Sequence, residues 1–353
     1  MSDALVPYVR VVVLNWNNDW LTTRCVRSIL ASDHPADRLE VVVADNGSID
    51  GSLSRLRADL PLDSGRVRIV ENGANLGFAE GCNRGMRDLD GVDFVALINN
   101  DATVEAGWLG PLLDEMADEE VGAVAPKLLL ELPFVTVDLD EIVVEEGADR
   151  VCPSIDAIRV DGIDMTARCV FEGIEVQVHP ELPLEFIRKV RDGACVHVPV
   201  GIDESRPPRI ELDVTVDSSG VSASLDGMDV VVNQPGSTTI ALTSVGPRHR
   251  RINNLGTMIM ANTEGSDRWF GVLDRNDLPT FDVPGFCGGA VLLRRRCSAR
   301  SACSTPRTSR TTRTPISRGG PGGQAGGSCV RPGRWSTTCT AARAARRRVG
   351  SSS

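Results

Sequence analysis

The chain has 353 residues, enough for two domains or one elaborated domain. It is 41% hydrophobic and 24% charged, so global disorder is excluded, and no run of roughly 18 apolar residues suggests a membrane-spanning helix. The net charge of −10 hides an asymmetry: residues 294–353 carry 14 Arg and no Lys, Asp or Glu, while the first 293 residues hold 24 basic and 48 acidic side chains, a balance that argues against nucleic-acid binding by the body of the protein.

In chain order, Tyr8–Leu14 is a short β-branched apolar run, the pattern of a strand buried on both faces. Leu21, Cys25, Val26, Ile29 and Leu30 then recur at helical spacing, and Leu39–Ala44 is a second strand ending at Asp45-Asn46-Gly47-Ser48. A helix is expected from Ser52 to about Leu60, a third strand over Val67–Val70, and a loop entering a helix over Gly77–Met86. Phe94–Ile98 is a fourth strand, ending at Asn99-Asn100-Asp101. It is followed by a helix over Trp108–Met116 and a strand over Val121–Val124. Strands alternating with helices imply an α/β fold with a mainly parallel sheet and right-handed crossovers.

Ligands of such sheets bind beyond the carboxyl ends of the strands. Three polar clusters fall there: Asn15-Trp16-Asn17, Asp45-Asn46-Gly47-Ser48 and Asn99-Asn100-Asp101. One cluster alone would be an ordinary turn; three on one edge point to a site. A carboxylate such as Asp45 can accept hydrogen bonds from a base or ribose. Asp101, with amide oxygens beside it, offers the hard oxygen ligands that Mg²⁺ or Mn²⁺ prefers next to a diphosphate. No GxGxxG follows the first strand and no GxxxxGK[ST] occurs, which disfavours a dinucleotide dehydrogenase and a P-loop enzyme. The ten cysteines form no CxxC pair, and a reduced thiol population is expected. His179, His197 and His249 are scattered and read as structural or surface residues.

VVVLNWNN (11–18), VVVADNGSIDGS (41–52), NLGFAEGCNRGM (75–86) and LINNDATVEAGWL (97–109) together resemble the family 2 glycosyltransferases, in particular their bacterial rhamnosyltransferase-like branch. PGFCGGAVLLRR (284–295) resembles that family's acceptor-side segment, and 251–277 a loop before it. The resemblance implies a GT-A (Rossmann-like) fold, a nucleotide-diphosphate-sugar donor, a Mg²⁺ or Mn²⁺ cofactor, and inverting transfer to a glycan or lipid-linked acceptor hydroxyl. It assigns donor binding to Asn15, Asn17, Asp45, Asn46, Asn75, Gly77, Phe78, Asn83, Asn99 and Asn100, and metal binding to Asp101, the single acid of a DxD-like triplet. Gly285, Gly288 and Gly289, with Asp267 and Arg268, fall on the acceptor side. The N-terminus lacks a basic start and apolar stretch, so a cytoplasmic protein is expected, with peripheral association at the inner membrane face as a family-level option.

The expected domains are 1–134, the nucleotide-sugar-binding half; 135–248, a β-rich insertion; 249–295, the acceptor-side part; and 296–353, an Arg-rich tail that composition reads as disordered. Within the insertion, Ile210–Val216, Val221–Leu225 and Thr239–Leu242 alternate apolar and polar residues, and Asp226-Gly227 is a hairpin signal.

The tail has a second reading. In the resembled family, GGAVLLRR is followed by a stretch like GLFDxxYFxYYEDTDLSWR, whose acids supply the catalytic base. In a shifted frame, Ser309–Gly319 is compatible with Phe-Thr-Tyr-Tyr-Glu-Asp-Thr-Asp-Leu-Ser-Trp. Ala302–Thr305 is likewise compatible with Gly-Leu-Phe-Asp, and Trp335–Thr340 with Val-Val-His-His-Val-His. A frameshift near Arg294–Cys297 would remove the base, worth about 10²–10⁴-fold in rate. The chain as written then reads as an impaired transferase. The alternatives are a non-catalytic nucleotide-sugar-binding protein and a sugar nucleotidyltransferase; Asn15-Trp16-Asn17-Asn18 does not match the Gly-rich, Arg/Lys-containing loop of the latter.

Overall fold

A computed structural model of the chain describes residues 6–142, 152–178, 186–216, 220–259, 265–275 and 278–295, and the backbone of 337–348. The described residues divide into two compact units, one built from 6–131, 252–295 and 337–348, the other from 132–251.

The first unit is a mixed α/β structure around a mainly parallel sheet. Strands β1 (Val9–Asn15), β2 (Leu39–Asp45), β3 (Val67–Glu71) and β4 (Phe94–Asn99) are joined by helices α1 (Asp19–Leu30), α2 (Ser52–Asp59) and α3 (Gly77–Gly85). β1 pairs in parallel with both β2 and β4, and β2 with β3. The chain therefore builds outward from β1 on one side and then returns to pair β4 on the other. Such a reversal leaves a crevice at the carboxyl ends of β1 and β4. Beyond β4 the antiparallel strand Ala290–Arg294 lies between β4 and β6 (Val121–Leu130). The short strand β5 (Ala102–Val104) follows directly on the Asn99–Asp101 cluster, and helix α4 (Gly110–Glu115) precedes β6.

Both faces of the sheet are covered, which is why its strands read as continuous apolar runs rather than alternating ones. Val11 and Val13 enter the cluster that holds Cys25, Val26 and Ile29 of α1 and Leu56 of α2. Val12, Val42 and Leu97 enter the opposite cluster with Cys82 of α3 and Met86 just beyond it. Helix α1 starts where the Asn18 side chain accepts the Leu21 N–H at 3.2 Å, an N-cap. Helix α3 lies close on β1: a methyl group added at Gly85 would come 2.5 Å from Val12 Cγ1.

β6 runs ten residues, well past the Val121–Val124 segment that the apolar pattern marks. Its second half is buried by the 252–283 segment: Leu129 packs with Ile252, Leu255 and Leu278. Lys127, 1% exposed at its side chain, donates to Asp274 Oδ1 at 2.6 Å.

In the Arg-rich tail, residues 337–348 run as a strand whose backbone pairs antiparallel with β6 and, over Thr337–Cys339, parallel with β5. The shifted-frame blocks of 302–319 lie outside the described residues.

The second unit is all β. One antiparallel sheet runs in the order Val170–Glu172, Ala194–Pro199, Phe134–Ile142, Gly220–Leu225, Met228–Val232. The other runs Glu175–Val178, Phe186–Lys189, Ser154–Val160, Arg209–Val216, Gly236–Thr243, with Ile163–Asp164 beside Ser154–Val160. Alternate residues of both sheets, among them Val137, Val196, Ile158, Leu212, Val214 and Ile240, share one core, as in a sandwich. Asp226 and Gly227 have φ of +52° and +77° and join two paired strands, the type I′ hairpin that Asp-Gly signals.

Candidate functional site

The carboxyl ends of β1, β2 and β4 carry one connected polar network. Asn15 ends β1 and Asp45 ends β2, paired in register and both buried. Asn15 Nδ2 donates to Asp45 Oδ1 at 2.8 Å and to Ser48 Oγ at 3.1 Å. Asp45 Oδ1 also accepts the Ser48 hydroxyl at 2.6 Å, and Oδ2 accepts the Ser48 backbone N–H at 3.0 Å. Three donors hold this carboxylate, and its capacity of about four leaves room for one more, such as a base N–H or a ribose hydroxyl. Asn17, at φ +51°, closes the loop: its N–H donates to Ser48 Oγ at 2.9 Å, and its Oδ1 accepts the Ile49 N–H at 2.9 Å. Trp16 and Ile49, 50% and 91% exposed, stand on the two loops so joined and offer apolar ground beside the polar groups.

Asn46, also buried, organises the approach to α3. Its Nδ2 donates to Asn75 Oδ1 at 2.9 Å and to the Gly77 carbonyl at 3.3 Å; its Oδ1 accepts from Asn72 Nδ2 at 3.2 Å and the Leu76 N–H at 3.1 Å. Asn75 Oδ1 accepts the Gly77 N–H at 3.0 Å, and Gly77 has a φ of +79°. Asn83 lies on α3 with a buried Oδ1 that has no hydrogen-bond partner among the described residues, an unmet acceptor of the kind that a bound group satisfies.

Thr22 carries the network across to β4. Its hydroxyl donates to Asn15 Oδ1 at 2.7 Å and accepts from Asn100 Nδ2 at 3.1 Å. The Asn99 carbonyl lies 3.5 Å from Cys25 Sγ. Burial, with the Asp101 charge second, pushes that thiol far above its ordinary range, so it is no nucleophile. Asp101 follows, partly exposed, at the end of the same run. Asn100 turns its NH₂ to Thr22, which leaves its carbonyl oxygen as an acceptor. One carboxylate and an amide oxygen form a hard donor set that fits Mg²⁺ or Mn²⁺ when diphosphate oxygens complete the shell.

The 284–295 segment meets this edge at two points. The Asn99 N–H donates to the Gly289 carbonyl at 2.9 Å. A methyl group on Gly288 would come 3.0 Å from the Phe78 ring, so the glycine lets the backbone lie close against that ring. Burial pushes the neighbouring Cys287 thiol up to about 11. Gly285 accepts the Thr257 N–H at 3.0 Å, which ties in the hairpin Thr257–Ile259/Gly265–Asp267. Asp267 accepts from Asn254 at 2.5 Å, and the Arg268 guanidinium sits 4.2 Å from the Phe281 ring and 5.5 Å from Trp269. These contacts serve the loop itself.

The structure thus brings Asn15, Asn17, Asp45, Asn46, Asn75, Gly77, Asn99 and Asn100 into one edge, and places Phe78 against Gly288. The linking residues Ser48, Thr22 and Asn72 were not singled out from sequence. Ser48 sits inside the quoted DNGS cluster, whereas Thr22 and Asn72 carry no motif.

Residues 10–131 match the family "Glycosyl transferase family 2". A 103-residue segment is 31% identical to an uncharacterized glycosyltransferase of Haemophilus influenzae, over 29% of this chain and 31% of that protein. A 133-residue segment is 29% identical to an N-acetylglucosaminyltransferase of Bradyrhizobium elkanii, over 36% of this chain and 70% of that protein. The chain therefore spans about a third of the first relative's length. Among solved structures, a mannosyltransferase of Pyrobaculum calidifontis in complex with GDP-Man and Mn²⁺ aligns at 30% identity over 35% of this chain and 36% of that one, with a TM-score of 0.32. The family match and the two sequence relatives are thus likenesses of the 10–131 region and of segments covering 29% and 36% of the chain.

Proposed function

We propose that this chain is built as an inverting glycosyltransferase that takes a sugar from a nucleotide-diphosphate donor to a hydroxyl of a glycan or lipid-linked acceptor. The observation that carries the reading is the single hydrogen-bonded network joining Asn15, Asp45 and Asn100 across three strand ends at the reversal between β1 and β4. Asp45 and Asn15 would hold the nucleoside, Asn46, Asn75 and Gly77 would shape the pocket wall, and Phe78 with Gly288 would border the sugar. Asp101, with Asn100 beside it, would hold the divalent ion. Bound there, the ion neutralises the leaving diphosphate. The acceptor oxygen attacks the anomeric carbon, the bond to the diphosphate breaks, and configuration inverts.

The step needs a base to take the hydroxyl proton, and the chain as written holds no acid after Arg294. The impaired state follows from the frameshift reading, and so does the runner-up, a protein that binds nucleotide sugars without turning them over. The rhamnosyltransferase-like branch and a site of action at the inner membrane face rest on the sequence resemblance. Among the described residues no helix is long and apolar enough to cross a membrane.

Two experiments test the reading. Resequencing codons 285–353 reveals whether a one-base change yields the acidic YYEDTD-like stretch. The corrected chain, incubated with donor, acceptor mixture and Mn²⁺, should release nucleoside diphosphate. Release of pyrophosphate instead marks a nucleotidyltransferase, and binding without release a sugar-nucleotide receptor.

A further inference from the structure

Three Lewis-basic side chains meet in the β-rich unit, apart from anything the transfer reading uses. Cys195 and His197 alternate on the strand Ala194–Pro199, so both lie on one face of it. Val196 and Val198 point the other way, into the sandwich core. Glu172, on the neighbouring strand Val170–Glu172, pairs in register with Cys195 and so shares that face. His197 Nε2 is 2.8 Å from Glu172 Oε1 and 3.5 Å from Cys195 Sγ. One ligand atom from each of the three residues falls within 4.8 Å of the others. Thr136, in register with His197 on its other side, places its hydroxyl 2.9 Å from Nδ1. His197 is only 4% exposed although it lies on the outer face of its sheet, while the Glu172 side chain is 57% exposed.

We propose that Glu172, Cys195 and His197 form a binding site for a borderline-soft divalent metal of the zinc type. Zinc bonds of about 2.0–2.3 Å in tetrahedral geometry set ligand atoms roughly 3.3–3.8 Å apart, within reach of the separations seen here by rotamer adjustment alone. Two of the ligands are two residues apart on one strand and the third is its cross-strand partner, so the backbone holds the trio in place. The Thr136 hydroxyl on Nδ1 fixes the imidazole ring and presents Nε2 to the ion, the usual outer support of a metal-binding histidine. Nitrogen, sulfur and one carboxylate select zinc-like ions over Mg²⁺ or Ca²⁺, which take oxygen shells. With three protein ligands the fourth position belongs to water or an exchangeable ligand. Arg251 competes: its Nη1 lies 3.1 Å from the same Glu172 oxygen, so the ion must displace that contact or use the other carboxylate oxygen.

The test uses the full chain, stripped with a chelator under reducing conditions. Zn²⁺ is titrated against a chromophoric competitor, and Co²⁺ is added separately for its absorption spectrum. The expected result is one equivalent of saturable Zn²⁺ binding, with a thiolate-to-cobalt charge-transfer band and tetrahedral d–d bands. Cys195→Ser and His197→Gln should abolish both, with the circular dichroism unchanged. Thr136→Val should weaken binding about 10–100-fold through the lost support of the ring. Should either buried variant fail to fold, Glu172→Gln, altered at the exposed rim, carries the comparison and should weaken binding at least tenfold. Absence of saturable binding in the unaltered chain overturns the site. So does binding of equal strength in the folded variants, because the ion is then held by other thiols.

Discussion

Gly47 has a φ of +72°, and a Cβ added there would lie 2.7 Å from the backbone of Ala74. Both facts follow from the tight turn by which the 45–48 loop brings the Ser48 hydroxyl and N–H back onto Asp45. Gly47→Ala should therefore lower stability by about 1–3 kcal/mol and loosen Ser48 from Asp45. Chemical denaturation checks the first effect, and amide-exchange protection of Ser48 the second; an unchanged midpoint contradicts the account of the turn. At this scale the sequence showed the chemistry but not the wiring. Asp45, Asn15 and Asn46 stand out as polar residues ending apolar strands. Thr22 does not, because a threonine on a buried helix face looks the same whether its hydroxyl bonds its own helix or a neighbouring strand. Here its one proton has acceptors on both sides, the Asn18 carbonyl in its own helix and Asn15 Oδ1 at the strand end. His197 and Glu172 were equally silent, since 25 residues separate them in the chain and only strand pairing joins them.

β6 shows what one element can carry. Its first half packs against Ala290–Arg294 in the sheet, and its second half anchors the segment that leads into Gly285, Gly288 and Gly289. Lys127 is the anchor. A buried ammonium stripped of its carboxylate is an uncompensated charge, so Asp274→Ala should cost about 3–5 kcal/mol, far more than a surface pair. Equilibrium urea unfolding measures it, and a loss under about 1 kcal/mol means that Lys127 finds another route to charge compensation. The parallel strands β1, β2 and β4 were legible because burial on both faces writes an unbroken apolar run. The far end of β6 was less so: Pro126 and Lys127 interrupt the apolar pattern, and the carboxylate that pairs Lys127 lies 147 positions later in the chain.

Among the described residues each unit has its own hydrophobic interior, on the two faces of the α/β sheet in one and within the β sandwich in the other. Each is large enough to unfold cooperatively, so calorimetry should resolve two transitions. Leu212→Ala, in the sandwich core, should lower one of them by about 2–5 kcal/mol and leave the other in place. A nucleoside diphosphate at 100 times its Kd should raise only the other, by about 2.7 kcal/mol. A single transition that responds to both changes contradicts this picture. The β-rich character of the insertion was legible in its alternating strands and Asp-Gly turn.

The most direct measurement is calorimetric titration of the intact chain with UDP, GDP and dTDP, each with and without Mn²⁺, beside Asp45→Ala and Asp101→Asn. Saturable binding of at least one diphosphate, strengthened by Mn²⁺, is the expected result. Asp45→Ala should lose about 10–100-fold, the worth of hydrogen bonds to a charged group. Asp101→Asn should keep the metal-free affinity and lose the Mn²⁺ gain. Binding of none of the three, or binding indifferent to both substitutions, would contradict the assignment of this strand edge as a nucleotide-sugar site.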